Sequence, residues 1–162
     1  MRLAIAAAFA LATAPSLHAQ AVTPPPPSPL PPPVDYSTAM PIDGSWSWSP
    51  VAGGSAATFV NAAGMPQLTI SCALPLRQIT FSKPASGAAP FLSVWTSAQT
   101  RNLPASYKPA TGRIEATVGA YDPLLDAIAF SRGRAGFSIA GQPPLIVPSW
   151  AEAARVVEDC RA

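Results

Sequence analysis

From Gln67 onward the chain alternates: "QLTISCA" sets Leu68, Ile70 and Cys72 on one side and Gln67, Thr69 and Ser71 on the other. That two-residue period belongs to a strand with one buried face. "RQITFSK" repeats it with Ile79 and Phe81 inward, and Pro75 between the two runs predicts a turn that joins them as a hairpin. "FLSVWTS" predicts a strand over 91–97, and "RIEATVG" another with Ile114, Ala116 and Val118 buried. "SWSWS" and "ATFV" upstream, and "GFSIAG" and "PLIV" downstream, add shorter runs, with Gly or Pro between most of them. The expectation is an antiparallel sheet or sandwich of about six to eight short strands.

Two helices place the fold in the α+β class, mainly β. In "DPLLDAIAFSRG", Asp122 stands at an N-cap and Pro123 at the first helical position, where its missing N–H costs nothing. Leu124, Leu125, Ile128 and Ala129 supply an apolar face, and Gly133 offers a left-handed stop, which predicts a short helix over about 123–131. Phe130 falls off that face, so the helix either ends early or buries both sides. In "PSWAEAARVVEDC", Ser149 and Glu152 have capping-box spacing. Trp150, Ala153, Ala154, Val157 and Cys160 share one side, and Glu152, Arg155, Glu158 and Asp159 the other, predicting an amphipathic helix over about 150–160 with its Trp150 face on the sheet.

Composition changes the picture first at the beginning of the chain. "MRLAIAAAFALATAPSLHAQA" has a positive start at Arg2, a 12-residue apolar run, Pro15 and small residues up to Ala21. It reads as a secretory signal peptide over 1–21, too short for the ~20 residues of a membrane span. Residues 22–42 read as a linker, because "PPPPSPLPPP" holds eight prolines in ten residues and favours an extended polyproline II rod. A single β-rich domain then covers 43–162. Removing 1–21 removes Arg2 and His18, the one histidine, and leaves nine Lys or Arg against eight Asp or Glu. Such a balance lacks the basic stripe of a nucleic-acid binder and gives no reason for stable membrane insertion after cleavage. The expected location is periplasmic or secreted.

Candidate chemistry is sparse. Without histidine there is no Ser-His-Asp triad and no histidine-ligated zinc, and two cysteines cannot complete a four-cysteine site. No Gly-rich phosphate loop occurs, and no metal or other cofactor is expected. The two lysines, Lys83 and Lys108, are the only candidates for a lysine base. Cys72 and Cys160, an even pair in an exported chain and both on inward faces, are expected to form a disulfide. Arg132 and Arg134, with Arg101 from "TSAQTRNLPA", are the candidate anion-binding residues; the plainer reading pairs them with Asp126, Glu115 or the acidic side of the last helix. Trp46 and Trp48 project to one side of their strand, as packing beneath the sheet or as an aromatic platform.

"DPLLDAIAFSRGR" and "PSWAEAARVVEDCR", with "LTISC" and "TSAQTRNLPA" as looser matches, resemble an uncharacterised family of exported alphaproteobacterial proteins of the sphingomonad type. The resemblance spans 64–161 and departs from the family pattern at "RAGFSIAG", where Ala135 follows the arginine in place of a bulky aromatic. It implies export and a shared fold, and no activity.

The reading that follows is an exported non-catalytic domain, binding or structural, whose partner is another protein, a cell-wall component or a small molecule. The alternative is a carboxylate-dependent periplasmic hydrolase using Asp122, Asp126 and Glu115. Export has a direct check: sequencing of the mature protein is expected to begin at Val22, or at Gln20 for cleavage two residues earlier after Ala19, and a start at Met1 contradicts it.

Overall fold

The computed structural model describes residues 35–162, so the predicted signal peptide and the proline-rich run at 24–33 lie outside the described residues. Nine antiparallel strands form one curled sheet: β1 Gly44–Val51, β2 Gly54–Asn61, β3 Pro66–Ala73, β4 Gln78–Pro84, β5 Phe91–Trp95, β6 Thr100–Lys108, β7 Arg113–Gly119, β8 Ala135–Ser138 and β9 Leu145–Val147, in the order β1-β2-β3-β4-β7-β6-β5-β8-β9. Two helices complete the fold, α1 Pro123–Ala129 and α2 Ala151–Arg161. The architecture is the expected mainly-β class with more strands than expected.

The predicted alternation holds. Leu68, Ile70, Cys72, Ile79, Phe81, Ile114, Ala116 and Val118 are all buried, and β3 and β4 form the expected hairpin through a 3-10 turn over Leu74–Leu76. Arg77 closes that turn at φ 49°, where it donates its amide to Leu74 O. Phe59, Phe81 and Phe137 fill the centre, each side chain contributing roughly 1.5–3 kcal/mol through burial.

The strand missing from the sequence reading is β6. Its first half, up to Pro104, pairs with β5, and its second half, from Ala105, pairs with β7. Pro104 has no N–H to give to a ladder and sits where the pairing changes partner. At the sheet's outer strands the curl nearly closes: Ile42 N donates to Ile146 O at 3.0 Å and the Trp46 indole donates to Pro148 O at 2.9 Å. The last residues assigned to the linker thus belong to the packed unit. Tyr36 stacks on Trp95 with ring centroids 5.4 Å apart, over Gly136, where a Cβ would stand 2.6 Å from the Tyr36 ring.

Antiparallel register sorts the connections to two ends. The turns at 52–53, 74–77, 96–99 and 120–122 share one end with both helices; 62–65, 85–90, 109–112 and 139–144 share the other. At the helical end the Cys72–Cys160 disulfide joins β3 to α2 with Cα atoms 5.5 Å apart. Arg77 donates to the carbonyls of Cys160 and Ala162, satisfying acceptors that a helix leaves open at its last turn. Arg161 donates to Ala120 O at 2.8 Å and pairs with Asp126 at 2.7 Å.

Two details of α2 differ from expectation. The capping box does not form: Trp150, not Ser149, is the N-cap, no side chain caps it, and Ser149 Oγ is enclosed without a partner. Ser149 N donates to Gly133 O while Pro148 O accepts from Trp46, so the chain stays bound to its neighbours one residue too long for Ser149 to cap. Trp150 consequently lies outside the helix and is 47% exposed, while Ala153, Val156, Val157 and Cys160 form the buried face. Helix α1 starts as expected, with the Asp122 carboxylate accepting from Leu124 N at 2.9 Å, but it ends at Ala129. Phe130 swings into solvent, and Gly133 takes its left-handed φ of 73° beyond the helix.

The staple closes a loop of 88 residues. Its removal in Cys72→Ala/Cys160→Ala is expected to cost about 4–5 kcal/mol in urea unfolding; a loss below about 1 kcal/mol would show that α2 docks without it.

Candidate functional site

The end away from the helices is open. Loops at that end surround a cleft of about 430 Å³, lined by Ile42, Gln67, Lys83, Pro84, Ser86, Gln142 and Leu145 among others. Its walls are mostly apolar or amide, and the mouth of a curled sheet is a usual place for a small-molecule site. Lys83 is its one charged lining residue.

Lys83 reaches the cleft because β4 keeps its period to the end. Ile79, Phe81 and Lys83 are successive inward positions, and Lys83 faces the fully buried Ile114 across the β4–β7 pair. Only 8% of the residue is exposed. Among the described residues, ion pairs form at Arg101–Asp122 and Arg161–Asp126 and none at Lys83; the enclosed side-chain atoms without a partner are Ser55 Oγ and Ser149 Oγ, so the Lys83 amine, bonded to no described residue, meets solvent at the cleft. Arg113, on the outer face of β7, is held by Ser82 through Nε to Oγ at 2.8 Å and Nη2 to O at 2.6 Å. Burial, and secondarily the positive charge of Arg113, depress the Lys83 pKa below its ordinary 10.5.

The arginines singled out by sequence are at the opposite end. Arg101, on β6, pairs with Asp122, and Arg134 donates to Ala39 O at 2.6 Å. Arg132 is exposed, and its backbone N–H is held by Ser97 Oγ at 3.1 Å. The fold brings the three to one end of the sheet, but two of them already serve internal partners. The carboxylates are similarly engaged. Burial works to raise the Asp122 pKa, yet the Arg101 guanidinium and the Leu124 amide prevail and hold it below 3.8; Asp126 pairs with Arg161, and Glu115 stands opposite Ser82 on the outer face of β7.

The tryptophan pair resolves as packing. Trp46 is buried and makes an edge contact with Phe59. Trp48 donates to Asp159 Oδ2 at 2.9 Å and carries the Arg155 guanidinium 3.6 Å over its ring, which fixes α2 against β1. Among the described residues, no group of three or more His, Cys, Asp or Glu is placed to hold a metal ion, and no helix is long and apolar enough to cross a membrane.

Sequence reasoning set Lys83 aside as a leftover base, although its signal was present: "ITFSK" carries the inward face of β4 one step further, from Ile79 and Phe81 to an amine. No family model, curated protein or solved structure matches the chain.

An ammonium on a largely buried side chain, with no partner among the described residues, opposes folding. Since the folded chain holds the Lys83 proton less tightly than the unfolded one, stability rises with pH between the folded pKa and 10.5. Lys83→Met is therefore expected to raise the melting temperature at pH 7, on the order of a few °C, with the gain shrinking as pH climbs through that window. A drop in melting temperature would mean that Lys83 has a stabilising partner.

Proposed function

We propose that the chain is an exported binding domain that takes a small organic ligand into the Lys83 cleft. The observation that carries this reading is Lys83: a lysine only 8% exposed as a residue, its amine without a partner among the described residues, and lining a cleft large enough for a molecule of several heavy atoms. A ligand oxygen accepting from Lys83 supplies the missing hydrogen bond, and the apolar remainder of the ligand lies on Ile42, Pro143, Pro144 and Leu145. Export is supported by the leader-like opening of the sequence and by the disulfide, which persists in oxidising compartments. The hydrolase alternative has less behind it, because Asp122 and Asp126 are engaged in separate ion pairs and Glu115 lies on the other face of the sheet from the cleft.

The test is a thermal-shift screen of small carbonyl and carboxylate compounds on the wild type and Lys83→Met. At a hundredfold excess over Kd a ligand of the cleft adds about 2.7 kcal/mol to stability. We expect hits on the wild type that disappear in Lys83→Met and persist in Asp122→Asn. Hits of equal size in wild type and Lys83→Met, or no hit at all, count against the cleft.

A further inference from the structure

Building on the binding reading, we propose that the Lys83 amine is a nucleophile: it condenses with the carbonyl carbon of a small aldehyde in the cleft and holds it as a reversible imine.

A simple anion site fits the surroundings poorly. A carboxylate is best held by a guanidinium fork or several converging donors, and the cleft offers one amine. The side-chain amide of Gln67 already donates to Met65 O at 3.2 Å, and that of Gln142 to Ser86 Oγ at 3.2 Å. Arg113 cannot supply the fork, since Ser82 occupies it on the outer face. What the site does supply is the setting of a nucleophilic lysine: a largely buried lysine on the inner face of β4 beside Ile42, Pro143, Pro144 and Leu145, its pKa lowered first by burial and then by the charge of Arg113. Every unit by which the pKa falls below ~10.4 raises the fraction of free amine at pH 7 about tenfold.

The chemistry needs no oxidant or reductant. The nitrogen lone pair of neutral Lys83 attacks the carbonyl carbon, a C–N bond forms, and the C=O π pair moves to oxygen. The oxygen gains a proton and the nitrogen loses one, giving a carbinolamine. A proton from solvent turns the hydroxyl into a leaving water, the nitrogen lone pair expels it to form the protonated C=N, and the nitrogen returns its remaining proton to solvent to give the imine. Hydrolysis reverses each step. The carbonyl oxygens of Gln67 and Gln142 are acceptors available to the carbinolamine hydroxyl at the cleft wall.

The experiment uses the mature, disulfide-bonded protein with butanal as probe and cyanoborohydride to reduce any imine, followed by peptide mapping. Lys108, exposed on β6, is an internal control in the same molecule. At pH 7 we expect Lys83 to be modified about several-fold faster than Lys108, a preference lost when the protein is unfolded in denaturant. Equal or slower modification of Lys83 overturns the proposal. Butanamide, which does not condense under these conditions, separates the two claims. If it stabilises the wild type and not Lys83→Met while butanal leaves no adduct on Lys83, the cleft binds and the covalent step is wrong. If neither compound acts through Lys83, both readings fall.

Discussion

The two-residue period of β4 is the constraint on which the functional account rests. A strand that buries Ile79 and Phe81 must turn its next alternate residue to the same face, and that residue is Lys83. A substitution of Lys83 by an apolar side chain would continue the core to the mouth of the sheet. The chain instead places there an amine whose charge is disfavoured by burial and by Arg113. Residues that lower stability in a cleft are those whose presence calls for a functional explanation.

The rest of the molecule compensates at the other end. There the disulfide, the Arg77 bonds to the last carbonyls of α2, the Arg161–Asp126 pair and the Trp48–Asp159 bond fasten α2 to β3, the β3–β4 turn, α1 and β1 respectively. The closed end is where most of the polar cross-links and the conspicuous charged residues are, and they hold the fold. The cleft at the open end is lined by apolar and amide residues and by one charged residue, Lys83. On the proposed reading, stability and ligand contact are divided between the two ends of one sheet, so that a ligand would enter without disturbing the staple.

Much of this was legible in the chain. Alternation located the buried faces of β3, β4 and β7, and the Asp122-Pro123 pair located the start of α1, because both signals depend on near neighbours. Strand β6 was illegible because Pro104 reads as a break, and only the fold shows that the ladder changes partner there. The capping box failed for a similar reason: Gly133 and Trp46, distant in sequence, hold Ser149 and Pro148 back from the helix. Arg101, Arg132 and Arg134 were read as candidate anion-binding residues, with internal pairing to Asp126, Glu115 or the last helix as the plainer reading; Arg101 and Arg134 are engaged internally, but by Asp122 and by Ala39, the latter in a segment read as linker. Lys83 was passed over because a lysine ending a strand ordinarily points to water.

The central claim, a largely buried lysine whose amine has no partner among the described residues, is tested most directly by following the Lys83 side chain through a pH titration by lysine-selective NMR, assigned with Lys83→Arg. The account predicts that Lys83 loses its proton clearly below the ~10.4 of an unperturbed lysine. Titration at or above that value would mean that a carboxylate or a hydrogen-bonding partner holds the charged form, and the cleft would lose its reason to bind.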